Sequence, residues 1–166
     1  RTPKVRLVDD AGVATEITVI AGSLGGTAAP TPPPNSWASK PDADLAVWHI
    51  RIEANGRWTL PQATNVETLR VLYAFEGSSV QVGTADPIAA QTGAAIVADR
   101  DLELVAGDGG IEMMLLQGRP IGEPVAQHGP FVMNTRAEIV QAVEDYRRTE
   151  FGGWPWSSPD PNHGPD

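Results

Sequence analysis

The chain has no cysteine. Disulfides, thiolate nucleophiles and thiolate-ligated zinc are therefore excluded. Histidine is nearly as scarce: there are His49, His128 and His163, and no two of them stand two residues apart. A metal centre on a β-barrel takes about three or four converging imidazoles or carboxylates, commonly with a His-x-His pair among them. That signature is missing. Positive charge is short as well, with 12 Lys and Arg against 21 Asp and Glu for a net charge of −9. Such a balance argues against nucleic acid as a direct partner. No apolar run is long enough to span a bilayer as a helix, so no membrane partner is expected. A cysteine-free chain suits the cytoplasm.

Several catalytic templates are lacking too. "GSLGG" at 22–26 has neither the Lys-Ser/Thr of a phosphate loop nor a helical period after it. No βαβ context accompanies it, which removes the dinucleotide fingerprint. No nucleophile elbow occurs. The acid pairs Asp9-Asp10 and Asp99/Asp101 fall in turns and read as solvated. His49 shares a strand face with Glu53, which would let one imidazole meet one carboxylate, but it reads as a surface histidine rather than a ligand. His128, beside Gly129-Pro130, reads as bonding locally to backbone rather than as a general base. No catalytic residue and no metal ligand is assigned.

What the chain does have is alternation. "KVRLV", "EITVIAG", "LAVWHIRIEA", "RWTL", "TLRVLYAFEG", "SVQVG", "AAIVA", "LELVAG" and "IEMMLLQG" are short and period-two, most of them closed by Gly, Asn or Asp. They predict an all-β sandwich or barrel. Within 45–53, Ala46, Trp48, Ile50 and Ile52 form the better core face, opposite Leu45, Val47, His49, Arg51 and Glu53. Leu69, Val71, Tyr73 and Phe75 share one side of a later strand. Asn55-Gly56 is the strongest short hairpin signal. The stretch "GTAAPTPPPNSW", 26–37, has too many prolines for a central strand. It reads as a surface connector, with a strap laid along a neighbour as the alternative.

One helix is signposted. Thr135 and Glu138 make a capping box, Ile139, Ala142, Val143 and Tyr146 fall on one face, and Arg147 and Arg148 suit its C-terminal end. Gly152-Gly153 stop it. The tail "FGGWPWSSPDPNHGPD" has no period, although Trp154 and Trp156 are unsuited to full exposure.

The segment "LLQGRPIGEPVAQHGPFVMNTRAEIVQAVEDYRRTEFGGWPW" resembles the C-terminal half of a pirin family protein. The match rests on Leu115 to Gly118, Pro120, Glu123-Pro124-Val125, the hexapeptide Gly129 to Asn134, and the capped helix. "VIAGSLGG", "RWTLP" and "YAFEGSSVQVG" extend it over nearly the whole chain, and "GGWPW" resembles a bacterial branch described as quercetin dioxygenase-like. The resemblance implies a cupin-like β-barrel/sandwich over 1–134, one C-terminal α-helix at 135–150 and a Pro-rich tail at 151–166. It also implies a bicupin, with an iron site in the N-terminal cupin and none here. "WTLPQATNVETL" offers Thr59, Leu60 and Thr64 in place of imidazoles. The chain begins with Arg1 rather than Met and is expected to be the second half of a longer protein, with "RTPKVRLV" linking the barrels. Expected partners are that N-terminal cupin domain or a second chain, and in the full-length protein a flavonol-like small molecule. Phe131, Val132, Met133 and Asn134 are the expected interdomain contact, with Phe131 or Met133 turned outward. The other reading is a stand-alone β-barrel that binds a small ligand without catalysis.

Overall fold

The computed structural model describes residues 2–154. Trp156, His163 and the rest of 155–166 lie outside the described residues. In chain order the strands are β1 (Lys4–Val8), β2 (Ala14–Ala21), β3 (Ser23–Leu24), β4 (Thr27–Ala28), β5 (Ala46–Ile52), β6 (Arg57–Leu60) and β7 (Leu69–Gly77). They continue as β8 (Ser79–Val82), β9 (Ile88–Ala89), β10 (Thr92–Ile96), β11 (Leu102–Ala106), β12 (Ile111–Gly118), β13 (Ala126–His128) and β14 (Phe131–Met133). One helix, α1 (Arg136–Thr149), follows. The mostly-β expectation holds, and each of the nine alternating stretches is a strand.

The first compact unit runs from Arg1 to Ile121. Its six-stranded sheet has the order β1-β2-β5-β12-β7-β10 and its four-stranded sheet the order β6-β11-β8-β9. All the pairings are antiparallel. Strands β5 to β12 pass between the two sheets in the manner of a double-sheet jelly roll. Period-two alternation turns one set of side chains inward from each sheet. Trp48, Ile50, Leu72, Met113 and Leu115 come from the larger sheet; Trp58, Leu60, Val80 and Leu104 come from the smaller. Ala46, Trp48, Ile50 and Ile52 are all buried, as their spacing predicts.

Two turns carry the chain between the sheets, and one of them departs from the local reading. Asn55-Gly56 does not close a hairpin. Strand β5 pairs with β2 and β12, whereas β6 pairs with β11, so the turn carries the chain from one sheet to the other. Asn55 takes a left-handed φ of +61°, and its amide donates to Gly107 of the β11–β12 connection at 3.0 Å. Burial of Ile52 and Trp58 in opposite layers overrides the hairpin preference. A second crossing lies at Gly77, between β7 and β8, where φ is +102° and a Cβ would stand 2.3 Å from the Gly110 carbonyl oxygen. Only glycine fits that approach.

The proline-rich stretch is tied back to its own unit. After β3 and β4 form a two-residue hairpin at Gly25-Gly26, the chain runs through short 3-10 turns at Trp37–Ser39 and Pro41–Ala43. The Trp37 indole donates to the Arg119 carbonyl at 2.9 Å, and the Arg119 amide donates to Ala43 O at 2.7 Å. The stretch itself, with none of 26–37 buried, is a surface connector anchored at its end by Trp37.

The second unit runs from Gly122. It holds the β13–β14 hairpin and α1. Thr135 Oγ1 accepts from the Glu138 amide at 3.2 Å, and the Glu138 carboxylate accepts from the Thr135 amide at 2.7 Å. The capping box is formed as read.

Candidate functional site

Three places in the first unit carry polar chemistry, and each follows from strand register. The first is the barrel interior. Leu60 is fully buried in the hydrophobic core, while Thr59 and Thr64 face solvent. Arg70 stands on the inward phase of β7 with Leu72 and Ala74 and is only 2% exposed. Its Nη2 donates to Pro61 O at 2.8 Å and its Nη1 to Val97 O at 3.4 Å, while Nε has no partner. Burial pulls this guanidinium below its ordinary pKa, opposed by Asp44 and Asp101; an arginine remains charged under such a shift. The donor set here is one cation and two hydroxyls that face away. It does not suit an iron ion, which takes imidazole and carboxylate ligands.

The second place is the outward face of the larger sheet. His49 meets a carboxylate, but not that of Glu53. Its Nε2 lies 2.8 Å from Glu112 Oε2 on neighbouring β12, and its ring stacks on Phe75 at 5.7 Å. Sequence proximity along one strand pointed to Glu53; cross-strand register supplies Glu112 instead. Around this pair the face is apolar. Tyr73 pairs with Met114 and Met114 with His49, while Val71 pairs with Leu116 and Leu116 with Val47. Tyr73 remains 44% exposed and Leu116 47%.

The third place is the end of the barrel around Asp44. Asp44, at a left-handed φ of +47°, accepts at Oδ2 from the amides of Thr64 (3.0 Å) and Asn65 (3.2 Å) and from the Thr68 hydroxyl (2.6 Å). Gln117 Nε2 donates to Asp44 O at 3.1 Å and to Asp44 Oδ1 at 3.2 Å. The node binds the loops at 41–45 and 61–68 to the end of β12. Its parts lie 73 and 24 residues apart in sequence, so no local motif announced it. Arg70 had a signal: it is a charge in phase with Leu72 and Ala74.

Of the turn acids, Asp10, Asp99 and Asp101 are exposed, as read, and Asp9 is half-buried; three of the four also accept hydrogen bonds. Asp9 accepts from the amides of Val13 (2.8 Å), Ala11 (3.0 Å) and Arg57 (2.9 Å). Those donors, Val13 foremost, hold its carboxyl below the ordinary value. Asp101 accepts from the Gln62 amide at 2.8 Å. Asp99 pairs with Arg100, which lowers its pKa.

In the second unit, Phe131 and Met133 are half-buried and Val132 is exposed. The outward residue of the run is thus Val132, because Phe131 packs edge-on against Tyr146 and Phe151 at 6.3 and 6.2 Å. Asn134 donates through its side chain to Glu123. His128 is exposed at the end of β13, paired across the hairpin with Phe131. Among the described residues no group of three or more His, Asp or Glu converges as metal ligands, and no helix is long and apolar enough to cross a membrane.

Residues 47–152 match the family model of the pirin C-terminal cupin domain. The chain is 33% identical over 152 residues to a "Putative quercetin 2,3-dioxygenase" of Pseudomonas aeruginosa, covering 90% of this chain and 47% of that protein. It is 59% identical over 39 residues to a pirin-like protein of Caulobacter vibrioides, covering 24% of this chain and 14% of that one. The crystal structure of a quercetin 2,3-dioxygenase from Acinetobacter baumannii superposes with a TM-score of 0.67 at 25% identity, covering 91% of this chain and 48% of that one. Set beside the proteins it aligns with over most of its own length, the chain spans about half of theirs. The Gly-Pro-Phe-Val-Met-Asn hexapeptide and the capped helix lie within the matched residues, and the chain belongs to the pirin family as a C-terminal cupin domain.

Proposed function

We propose that this chain is a metal-free cupin that works beside an iron-binding N-terminal cupin in a longer cytoplasmic protein. The whole protein would then act as a quercetin 2,3-dioxygenase-like oxidoreductase or as a redox-sensitive regulator. The observation that carries this reading is the inversion of polarity in the larger sheet. An arginine occupies the inside of β7, while Val71, Tyr73, Met114 and Leu116 line the outside. A solvated sheet face ordinarily alternates to polar residues, and apolar rows left at the surface mark a contact face. Val132 and its neighbours Phe131, Met133 and Asn134 offer a second contact in the same reading.

The chain's part is support rather than chemistry. Dioxygen chemistry on a flavonol needs a redox metal or comparable cofactor to bind and orient the reactants, and the interior donors here are Arg70 and backbone carbonyls. The test compares this chain with the product of the reading frame that encodes it together with an upstream barrel. Iron content and quercetin-dependent oxygen uptake with added ferrous ion are measured on both. Iron and uptake are expected in the longer protein alone, with Leu116→Lys weakening the association of its two halves. Metal-dependent uptake by this chain by itself would overturn the proposal.

A further inference from the structure

We infer that the groove between β13 and α1 takes an extended, carboxylate-bearing segment from the other half of the longer protein, added as a third strand to the free edge of β13. The inference rests on the reading of this chain as one half of a two-barrel protein, and it names a point at which the halves join. The groove has a volume of about 790 Å³ and lies wholly within the second unit.

One wall is a strand edge. Val125, Ala126, Gln127 and His128 border the groove in succession, whereas no residue of β14 does. Successive side chains of a strand point to opposite faces, so consecutive residues border one groove only where it runs along the edge. β13 pairs with β14 alone, which makes this edge the free one. Alternate residues of an antiparallel strand turn their N–H and C=O groups to opposite edges. Part of the hydrogen-bonding capacity of β13 therefore points away from β14, and no backbone bond beyond the hairpin engages it among the described residues. Such an edge is a template for a further strand.

The other wall is a helix stripe. Ile139, Val140 and Val143 line it; Val140 is 57% exposed, and Val125 beside β13 is 75% exposed. Apolar side chains left open next to an unpaired strand edge mark a contact surface. Arg136 and Arg147 stand at the two ends of the stripe. Neither has an ion-pair partner among the described residues. With Glu144 also on the rim the walls remain net positive, in a chain whose net charge is −9.

The occupant follows from these walls. The arginines lie about 16 Å apart along the helix axis, at 1.5 Å per residue. A strand covers that distance in about five residues. The segment is therefore extended, apolar toward α1, and carries carboxylates about four to six residues apart to meet the two guanidiniums. A second copy suits the groove poorly, because a twofold contact would set the arginines of one copy against those of the other. The chain spans about half the length of the relatives it aligns with. A segment from the other half would be tethered at high effective concentration.

The experiment measures hydrogen–deuterium exchange by mass spectrometry on fragments spanning 125–129, in this chain and in the longer protein encoded with its upstream half. Exchange there is expected to be slower in the longer protein by about tenfold or more. The pair Arg136→Gln and Arg147→Gln, and separately Val140→Lys, should return most of that exchange, while leaving the melting of this chain alone unchanged because all three side chains are exposed. Equal exchange in the two proteins, or slowing that the arginine pair leaves intact, would overturn the inference. So would slowing in this chain alone as its concentration rises, which makes the occupant a second copy, or faster exchange in this chain once 155–166 are removed, which makes it the chain's own end. Iron content of the longer protein reports separately on the underlying reading. Iron present with equal exchange sinks this inference and leaves that reading standing; iron absent with slowed exchange does the reverse.

Discussion

His49 Nε2 stands 2.8 Å from Glu112 Oε2 across the β5–β12 pair, on the outward face of the larger sheet. Arg51 approaches the same carboxylate at 3.6 Å, and Phe75 backs the ring. The barrel's histidine is thus engaged outside the barrel. The purified chain is therefore expected to hold no stoichiometric iron or zinc after dialysis, and His49→Ala should leave its metal content unchanged. Elemental analysis that returned about one metal per chain, lost in His49→Ala, would contradict this.

The capping box predicts a cost at the helix start. Thr135→Ala should lower stability by about 1 kcal/mol. Pattern alone makes Glu138 the lesser half of the box, yet its Oε2 accepts from Asn134 N (3.1 Å), Thr135 N (2.7 Å) and Thr135 Oγ1 (2.9 Å). Glu138→Ala should accordingly cost at least as much. Chemical-denaturation midpoints of the two variants, followed by far-ultraviolet dichroism, check the order.

Arg70 is the test of the interior. Arg70→Ala removes a buried side chain and leaves Pro61 O and Val97 O without their donor, for a loss of about 3 kcal/mol. Arg70→Met keeps most of the volume and should lose clearly less. Equal midpoints for the two variants would show that packing, rather than the guanidinium bonds, is the smaller part.

At the sheet crossing, Gly77→Ala places a Cβ against Gly110 O and demands a left-handed φ from a residue that disfavours it. A loss of at least about 2 kcal/mol is expected. Gly12→Ala, with a φ of +82° but nothing within 4 Å, should cost only the conformational part, and thermal melts separate the two.

Acid should weaken the chain through one turn acid and one helical acid. Asp9 is lowered by its backbone donors, Val13 first, and Asp145 by its hydrogen bond to Arg148. A carboxyl whose folded pKa lies below its unfolded one contributes stability above the unfolded value and loses it as pH falls through the folded one. Stability is therefore expected to decline below about pH 4. In Asp9→Asn that decline should be shallower, as read from denaturant midpoints across pH.

Much of this was legible in the chain because it is local. Period two marked the nine principal strands, and Ala46, Trp48, Ile50 and Ile52 were found as a core face because alternation and hydrophobicity agree there. The helix was found because caps act within one turn. Where alternation and hydrophobicity disagree, sequence could not choose. In β7 the more apolar set, Leu69, Val71, Tyr73 and Phe75, faces out, and Arg70 faces in with Leu72 and Ala74. Pairing with β12 and β10 sets that phase.

By itself, then, the sequence determined the nine principal strands, though not the short β3, β4, β9, β13 and β14, together with the capped helix and the family hexapeptide, all written in neighbouring residues. Tertiary structure alone decided that Asn55-Gly56 turns between sheets, that Glu112 rather than Glu53 meets His49, and that Trp37 ties the end of the proline-rich connector to Arg119. It also decided that the edge of β13 and the stripe of α1 share one groove. Each of these joins residues from separate elements, through register and sheet-to-sheet burial. Those constraints arise only when strands distant in the chain pack together.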